Sequence, residues 1–364
     1  MKILITGNMG YVGPVVVNHL RNVFPSATLI GYDTGYFAAN LTNASTLPES
    51  KLDMQIFGDV RSMKPEVLQG VDAVIQLAAI SNDPMGHRFE EVTLDINNKS
   101  VVRIAEMAKE AGVKSLVFAS SCSIYGIASE TPKTEDSEVN PLTAYARSKV
   151  FTEQELASLA DDSFTVTCLR FATACGMSQR LRLDLVLNDF VANAVASGKI
   201  NILSDGSPWR PLIHVKDMAR AIEWAIGRKS DNGGNFLAVN TGSKTWNYQI
   251  HELAETVAEV ITDVEVIINK DAAPDKRSYR VSFDLYESLA PEHQPQVTLK
   301  EAVKELQQHL AQMSFADTDF RSSHFIRLKI LTHLQECNQL NDRLEWIYEK
   351  SNEEIKSLEL IAVL

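Results

Sequence analysis

Three glycines spaced three residues apart, Gly7-x-x-Gly10-x-x-Gly13, follow directly on the apolar run Lys2-Ile-Leu-Ile5. After them Pro14 to Val23 carries apolar residues at helical spacing, at Val15, Val16, Leu20 and Val23. Few backbones accept a buried strand, a glycine turn and a helix in that order. Gly7 allows a tight turn, Gly10 lets the backbone approach a pyrophosphate, and Gly13 permits close packing of the helix. The helix N-terminus then offers free N–H groups and a positive dipole end to phosphates. Tyr11 and Val12 lie between the glycines and count with them as cofactor contacts.

The same alternation continues. A second strand, Thr28 to Tyr32, ends in Asp33, about 20 residues after the last glycine, where dinucleotide folds place a carboxylate on the adenosine ribose. A carboxylate there repels a 2′-phosphate, which favours NAD over NADP. Met54 to Phe57 leads into Gly58-Asp59-Val60, with Asp59 and Val60 placed for the adenine edge. Val71 to Leu77 reads as a buried strand running into Ala78-Ala79, small residues that let backbone lie against a cofactor. A helix is expected over Asn97 to Ala111, capped at Gly112, then a strand over Ser115 to Ala119 with Ser121 at its end. Val166 to Phe171 reads as a sixth strand. This pattern predicts an α/β protein with a Rossmann-type, doubly wound parallel sheet over residues 1–175. In such sheets ligands sit beyond the carboxyl ends of the strands. Gly7, Asp33, Asp59, Ala78 and Ser121 all fall at such ends.

Tyr145-Ala-Arg-Ser-Lys149 opens a further helix after the turn at Asn140-Pro141. Residues i and i+4 share a helical face, so phenol and ammonium can address one point. A cation there is expected to lower the phenol pKa from about 10 towards working pH, giving a general base for a hydroxyl. Taken alone, Tyr-x-x-x-Lys is more often two exposed side chains. Its weight comes from the strand ends around it.

The formal net charge of −12 disfavours nucleic-acid or anionic-membrane binding, which needs basic patches. Cys122, Cys168, Cys175 and Cys337 form no C-x-x-C pair, and the histidines are scattered singly, so no metal is expected. Reduced thiols, the absence of a signal-peptide pattern and of any apolar run near ~20 residues point to the cytoplasm.

Beyond residue 175 the pattern loosens. Residues 176–316 read as a mainly substrate-binding lobe with some segments returning to the core: a helix over Leu181 to Ala196, a strand over Ile200 to Leu203, a helix over Val215 to Ile226, a helix over Ile250 to Ile261, a strand over Val264 to Ile268 and a polar loop from Asp271 to Tyr279. Residues 317–364 form an extension with charged amphipathic helices expected over Ser322 to His333 and Asp342 to Leu360, packing on the body or on a second subunit.

The motifs T-G-x-x-G-Y-x-G at 6–13, G-D-V at 58–60, L-A-A at 77–79, S-S-C-S-I-Y-G at 120–126, Y-A-R-S-K at 145–149, L-R-F at 169–171 and W-R-P-L-I-H-V at 209–215 occur in one order. Together they resemble the extended short-chain dehydrogenase/reductase superfamily, in its NAD-dependent epimerase/dehydratase branch, over residues 1 to about 310. The resemblance implies Tyr145 as acid/base and Lys149 as the group that lowers its pKa and binds the nicotinamide ribose. It implies Ser121 as hydrogen-bonding partner of the reacting hydroxyl, Leu77 as a cofactor contact and Asn97 in support. It places a nucleotide-diphosphate sugar against Ser121, Ser123, Thr173, Asn188, Arg210 and Arg277, with Arg180 and Arg182 nearby; arginine suits a diphosphate because its fork binds bidentately. It also implies a homodimer. Dehydratases of this branch carry acidic residues after the catalytic serine or threonine, whereas this chain has Cys122-Ser123, which is closer to the 4-epimerases. Thr173 and Pro211 depart from the commoner Asn and Asp. A 4-ketoreductase and a non-catalytic NAD-binding scaffold remain the alternatives.

Overall fold

The computed structural model describes residues 1–126, 131–269, 272 and 278–347. Strands β1 (Lys2–Thr6), β2 (Thr28–Asp33), β3 (Met54–Phe57), β4 (Ala73–Gln76), β5 (Ser115–Ser121) and β6 (Thr165–Phe171) form the central sheet. Short β7 (Thr173–Cys175), β8 (Lys199–Ile202) and β9 (Trp209–His214) lie outside it, and β10 (Phe236–Thr241) returns to complete it. The order is β10-β6-β5-β4-β1-β2-β3, with parallel pairing throughout. The order reverses between β1 and β4, which opens a crevice at their carboxyl ends. Two smaller sheets carry β7, β9 and β11 (Asn247–Gln249), and β8 with β12 (Glu265–Ile268).

Side-chain alternation explains why the sheet is covered on both faces. Ile3 and Ile5 point into one apolar cluster and Leu4 into the other, all three fully buried. A parallel strand with apolar residues on both sides needs a layer of helix over each. One layer is α1 (Gly13–Val23). The opposite layer begins with α2 (Asp83–Arg88) and α3 (Glu90–Leu94), which runs through a π-type turn at Asp95–Lys99 into α4 (Ser100–Glu110), and it includes α5 (Ala144–Leu159). The expected helix at Asn97 is therefore the middle of a longer one, and Asn97 sits in the π turn. Helix α6 (Val186–Ser197) belongs to the outer lobe, and α7 (Val215–Gly227) packs back against α1, with His19 and Glu223 in contact at 2.6 Å. Helices α8 (Ile250–Val260), α9 (Asp284–Leu289) and α10 (Leu299–Gln312) follow.

Three expectations change. Strand β10 had no sequence signal of its own that was read; it pairs with β6 from Phe236↔Val166 to Thr241↔Phe171. The helix expected from Leu181 begins at Val186, because Leu181 and Leu183 are buried from an extended segment whose Leu183 N–H donates to the Phe325 carbonyl. In the extension, α11 spans Arg327–Glu336, and the segment from Asp342 to Ile347 is not helical: it turns and bridges back, Leu340 to Trp346. The rest of that second helix lies outside the described residues. Among the described residues no helix is long and apolar enough to cross a membrane.

Candidate active site

A cavity of about 930 Å3 opens at the carboxyl ends of the strands and runs from the glycine turn to the outer lobe. That is the upper end of the ~300–1,000 Å3 usual for ligand sites, enough for a cofactor and a substrate together. Gly7, Gly10, Tyr11, Val12 and Gly13 line it, as do Asp33, Asp59, Val60 and the Leu77-Ala78-Ala79 segment. Ser121, Ser123, Tyr145, Lys149, Thr173 and Arg210 line it too.

The glycine turn is sterically committed. Gly7 has φ +74°, and a Cβ there would meet the Ala78 nitrogen at 2.5 Å. A Cβ on Gly13 would meet the Asn8 carbonyl oxygen at 2.2 Å, so α1 can start only this close to the turn if residue 13 is glycine. Helix α1 has no side-chain cap and no acidic residue in its first turn, which leaves its positive end to an anion. Asp33, at the end of β2, accepts hydrogen bonds from the Met9 and Gly35 amides at 2.9 and 2.7 Å. Burial raises its pKa, and those two bonds work against the rise. Asp59 also faces the cavity, but its carboxylate is held by the Arg61 backbone amide and guanidinium at 2.6–3.0 Å.

Tyr145 and Lys149 sit in the first turns of α5, whose start is fixed by Thr143: its Oγ1 accepts from the Ala146 amide and donates to Asp83 at 2.7 Å. The Lys149 ammonium lies 5.5 Å from the Tyr145 ring centroid and 4.5 Å from that of Phe118, and donates to the Ala119 carbonyl at 2.7 Å. Burial lowers its pKa to about 7, with Glu153 pulling the other way. Burial likewise pushes the Tyr145 phenol up to about 12, while a hydrogen bond with Ser121 pulls it down. The expected lowering of the phenol pKa is therefore not the net effect: desolvation by burial outweighs the hydrogen-bonding influence of Ser121 and the charge of Arg182.

Glu153, one turn beyond Lys149, carries a role that sequence reading did not assign. It is buried and pairs with Arg170 of β6, whose Nη2 is 2.7 Å away and whose Nε reaches both carboxylate oxygens at 3.1 Å. Ser120 donates to the same carboxylate, and Arg170 continues to the Tyr125 hydroxyl at 3.0 Å. Arg170, in the L-R-F motif, therefore ties α5 to the ends of β5 and β6.

Two expected contacts move. Asn97 and Asn188 are fully buried and do not line the cavity. The Asn97 carboxamide grips the Ile80 amide and carbonyl at 2.8 and 2.9 Å and reaches Ser148. Asn188 accepts from the Gly176 amide at 2.9 Å and donates to the Tyr11 hydroxyl and Arg182 carbonyl. Both shape the wall from behind, since their polar atoms are taken up by backbone and neighbouring side chains. Arg180 is also buried off the cavity and pairs with Glu49 at 2.6 Å. Arg182 faces the cavity, paired with Asp184 and donating to Ser81 at 2.9 Å. Arg277 lies outside the described residues. Ser123 Oγ is buried and has no hydrogen-bond partner among the described residues, a polar group suited to a ligand hydroxyl. Sequence reading did not find Tyr36, Phe37, Asp83, Tyr279, Arg321 and Arg327, which all line the cavity. They lie in loops, at the first residue of the short helix α2 and in the extension, where no periodicity marks a residue that faces inward.

Residues 3–242 match the model of the NAD dependent epimerase/dehydratase family. The chain belongs to that family. Its sequence is 29% identical over 263 residues to the UDP-glucose 4-epimerase of Mycolicibacterium smegmatis, spanning 69% of this chain and 80% of that relative. It is 25% identical over 314 residues to a putative UDP-glucose 4-epimerase of Methanocaldococcus jannaschii, spanning 83% and 96%. Among solved structures, MoeE5 in complex with UDP-glucose and NAD has a TM-score of 0.71 at 25% identity, covering 86% of this chain and 100% of that one. The UDP-glucose-4-epimerase of Stenotrophomonas maltophila with bound NAD and formylated UDP-arabinopyranose shares the fold, with a TM-score of 0.72 at 22% identity, covering 87% and 100%.

As a member of this epimerase/dehydratase family the protein is an NAD-dependent enzyme, and the cavity suits that cofactor. The uncapped N-terminus of α1, Asp33 and Lys149 all border the cavity, a positive helix end, a carboxylate and an ammonium spaced along it.

Proposed function

We propose that the protein is a nucleotide-sugar epimerase that works through a keto-sugar intermediate, with Tyr145 as its acid/base. The observation that carries this reading is the way the end of β5 faces the cavity. Ser121 and Tyr145 both line the cavity there, and Ser121 pulls the phenol pKa down against the effect of burial. At the next two positions, where a dehydratase has acidic groups, Cys122 is turned into the core, its thiol bonded to the Arg170 carbonyl, and Ser123 presents a hydroxyl. The nearby Asp83 accepts from Thr143, which uses it to fix the start of α5.

In this reading Tyr145 takes the proton from a sugar hydroxyl that Ser121 orients, and later returns it. Bound there, NAD would supply the hydride acceptor and donor for the carbinol carbon. Lys149 would hold the nicotinamide ribose, and in its protonated form its charge would favour the ionised phenol. Arg210 and Arg182 at the outer lobe suit the substrate diphosphate, and Thr173 and Ser123 suit sugar hydroxyls. Fixing the reacting C–H against the nicotinamide accounts for much of the rate gain. The names of the relatives make UDP-hexoses the first substrates to supply.

The test is to incubate the enzyme with UDP-glucose, UDP-galactose and their N-acetyl and uronic-acid counterparts, following the sugars by NMR and nicotinamide by absorbance. Inversion at one carbon without net change in cofactor is expected. Stoichiometric cofactor consumption would instead indicate a ketoreductase, and loss of water a dehydratase.

A further inference from the structure

The family match ends at residue 242, yet the chain's extension reaches back to the cofactor end of the cavity. Trp346 Nε1 donates to the Thr34 carbonyl at 2.7 Å, Tyr36 donates to the Leu344 carbonyl, and Arg61 Nη1 donates to the Arg343 carbonyl at 2.7 Å. Thr34 and Tyr36 directly follow Asp33, and Arg61 follows Asp59 and Val60. The extension therefore grips the two loops that bracket the adenosine end of the site.

Helix α11 opens at that point with Arg327, which lines the cavity although only 1% exposed. Its guanidinium stacks over the Phe37 ring at 4.4 Å, and Nη2 donates to the Arg180 carbonyl at 2.7 Å. Nη1 is buried with no hydrogen-bond partner. Among the described residues Arg327 makes no ion pair, whereas Arg182 and Arg321 on the same cavity are paired with Asp184 and Asp189. Burial, then repulsion from Arg182, lowers its pKa to about 9, and Asp184 acts in the opposite sense. A cation buried this deeply without an anion is costly unless a ligand supplies one. Arg327 lines the same cavity as Gly7, Gly10 and Gly13, and Phe37, over which it stacks, lies four residues after Asp33, so it stands on the cofactor side of the cavity.

We propose that residues 317–347 are part of the NAD site, and that Arg327 donates through Nη1 to the dinucleotide's phosphates while the strap beyond it closes over the adenosine. Arg327 would thus add a side-chain cation to the backbone amides of the glycine turn. The proposal rests on NAD as cofactor and is independent of which sugar is turned over.

The test is calorimetric titration of the full chain, without sugar, with NAD, ADP-ribose and adenosine. Arg327→Met keeps the apolar stem over Phe37 and removes the charge; Arg327→Lys keeps a charge without the fork. Losing one charge-assisted hydrogen bond should weaken NAD and ADP-ribose roughly ten- to a hundredfold in Arg327→Met. Adenosine affinity should stay unchanged, and Arg327→Lys should fall between. The wild-type affinity for ADP-ribose should also decline more steeply with salt than that of Arg327→Met. Equal affinities for ADP-ribose in all three proteins, or an equal loss for adenosine and ADP-ribose, would overturn the proposal in favour of a purely structural arginine. Should Arg327→Met fail to fold, Arg327→Lys with unaltered ADP-ribose affinity and salt slope would overturn it equally.

Discussion

The Lys149 ammonium stands over the Tyr145 ring, 5.5 Å from its centroid, while its own hydrogen bond goes to the Ala119 carbonyl. Ammonium and phenol are close without being bonded to one another, and burial works on both. It lowers the lysine to about 7 and raises the tyrosine to about 12. Burial thereby favours the neutral form of both groups.

This makes Lys149 a source of pH-dependent stability. Its pKa is about 7 folded and about 10.4 unfolded, so between those values the unfolded chain binds more protons and stability rises with pH. Below pH 7 the desolvation penalty is complete. Lys149→Met removes it, so the variant should gain most over wild type below pH 7, and the gain should shrink towards pH 10. Urea melts of both proteins from pH 6 to 10 measure this; a constant difference would contradict it.

Tyr145→Phe should lower turnover by about 10²–10⁴, the usual contribution of a positioned acid/base. Ser121→Ala should lower it in the same direction. Neither should weaken ADP, which ends at the diphosphate and lacks the nicotinamide-side ribose. Steady-state assays paired with ADP titrations check both statements.

Glu153→Gln leaves Arg170 buried without its counter-charge. A loss of about 3–5 kcal/mol in unfolding free energy is expected, because breaking one side of a buried pair strands the other. Glu153→Gln together with Arg170→Met should recover part of that loss. Chemical denaturation of the single and double variants provides the comparison.

Asp33→Ala removes the carboxylate that disfavours a 2′-phosphate. The ratio of NADP to NAD dissociation constants should fall by at least about tenfold, as expected when one charge repulsion of ~1.4 kcal/mol is lost. The same variant should also bind NAD more weakly, since Asp33 organises the Met9 and Gly35 amides. Titration with each dinucleotide resolves the two effects.

Gly7→Ala must accommodate a Cβ at φ +74° within 2.5 Å of the Ala78 nitrogen. It should abolish NAD binding or give insoluble protein, whereas Gly70→Ala, with φ +66° but nothing within 4 Å, should cost only about 1–2 kcal/mol in backbone strain. Expression yield and thermal melts separate the two.

The sequence by itself determined six of the seven strands of the sheet and most of the residues that border the cavity at their carboxyl ends. Apolar runs of strand length, glycines at three-residue spacing and a Tyr-x-x-x-Lys pair are local patterns, and parallel topology sends every strand end to one edge. Gly7, Asp33, Ala78, Ser121 and Tyr145 could therefore be placed together from their order alone. Only the tertiary structure decided what lies around them. Strand β10 is defined by its pairing with β6, Asn97 and Asn188 turned out to brace the wall from behind, and Glu153 acquired its role from Arg170, which reaches it from another strand. The extension shows the difference most plainly. Its helical spacing was readable, but the position of Arg327 against Phe37 depends on a contact some 290 residues apart in the chain. Periodicity encodes which side of an element is apolar; what that side meets is settled by packing.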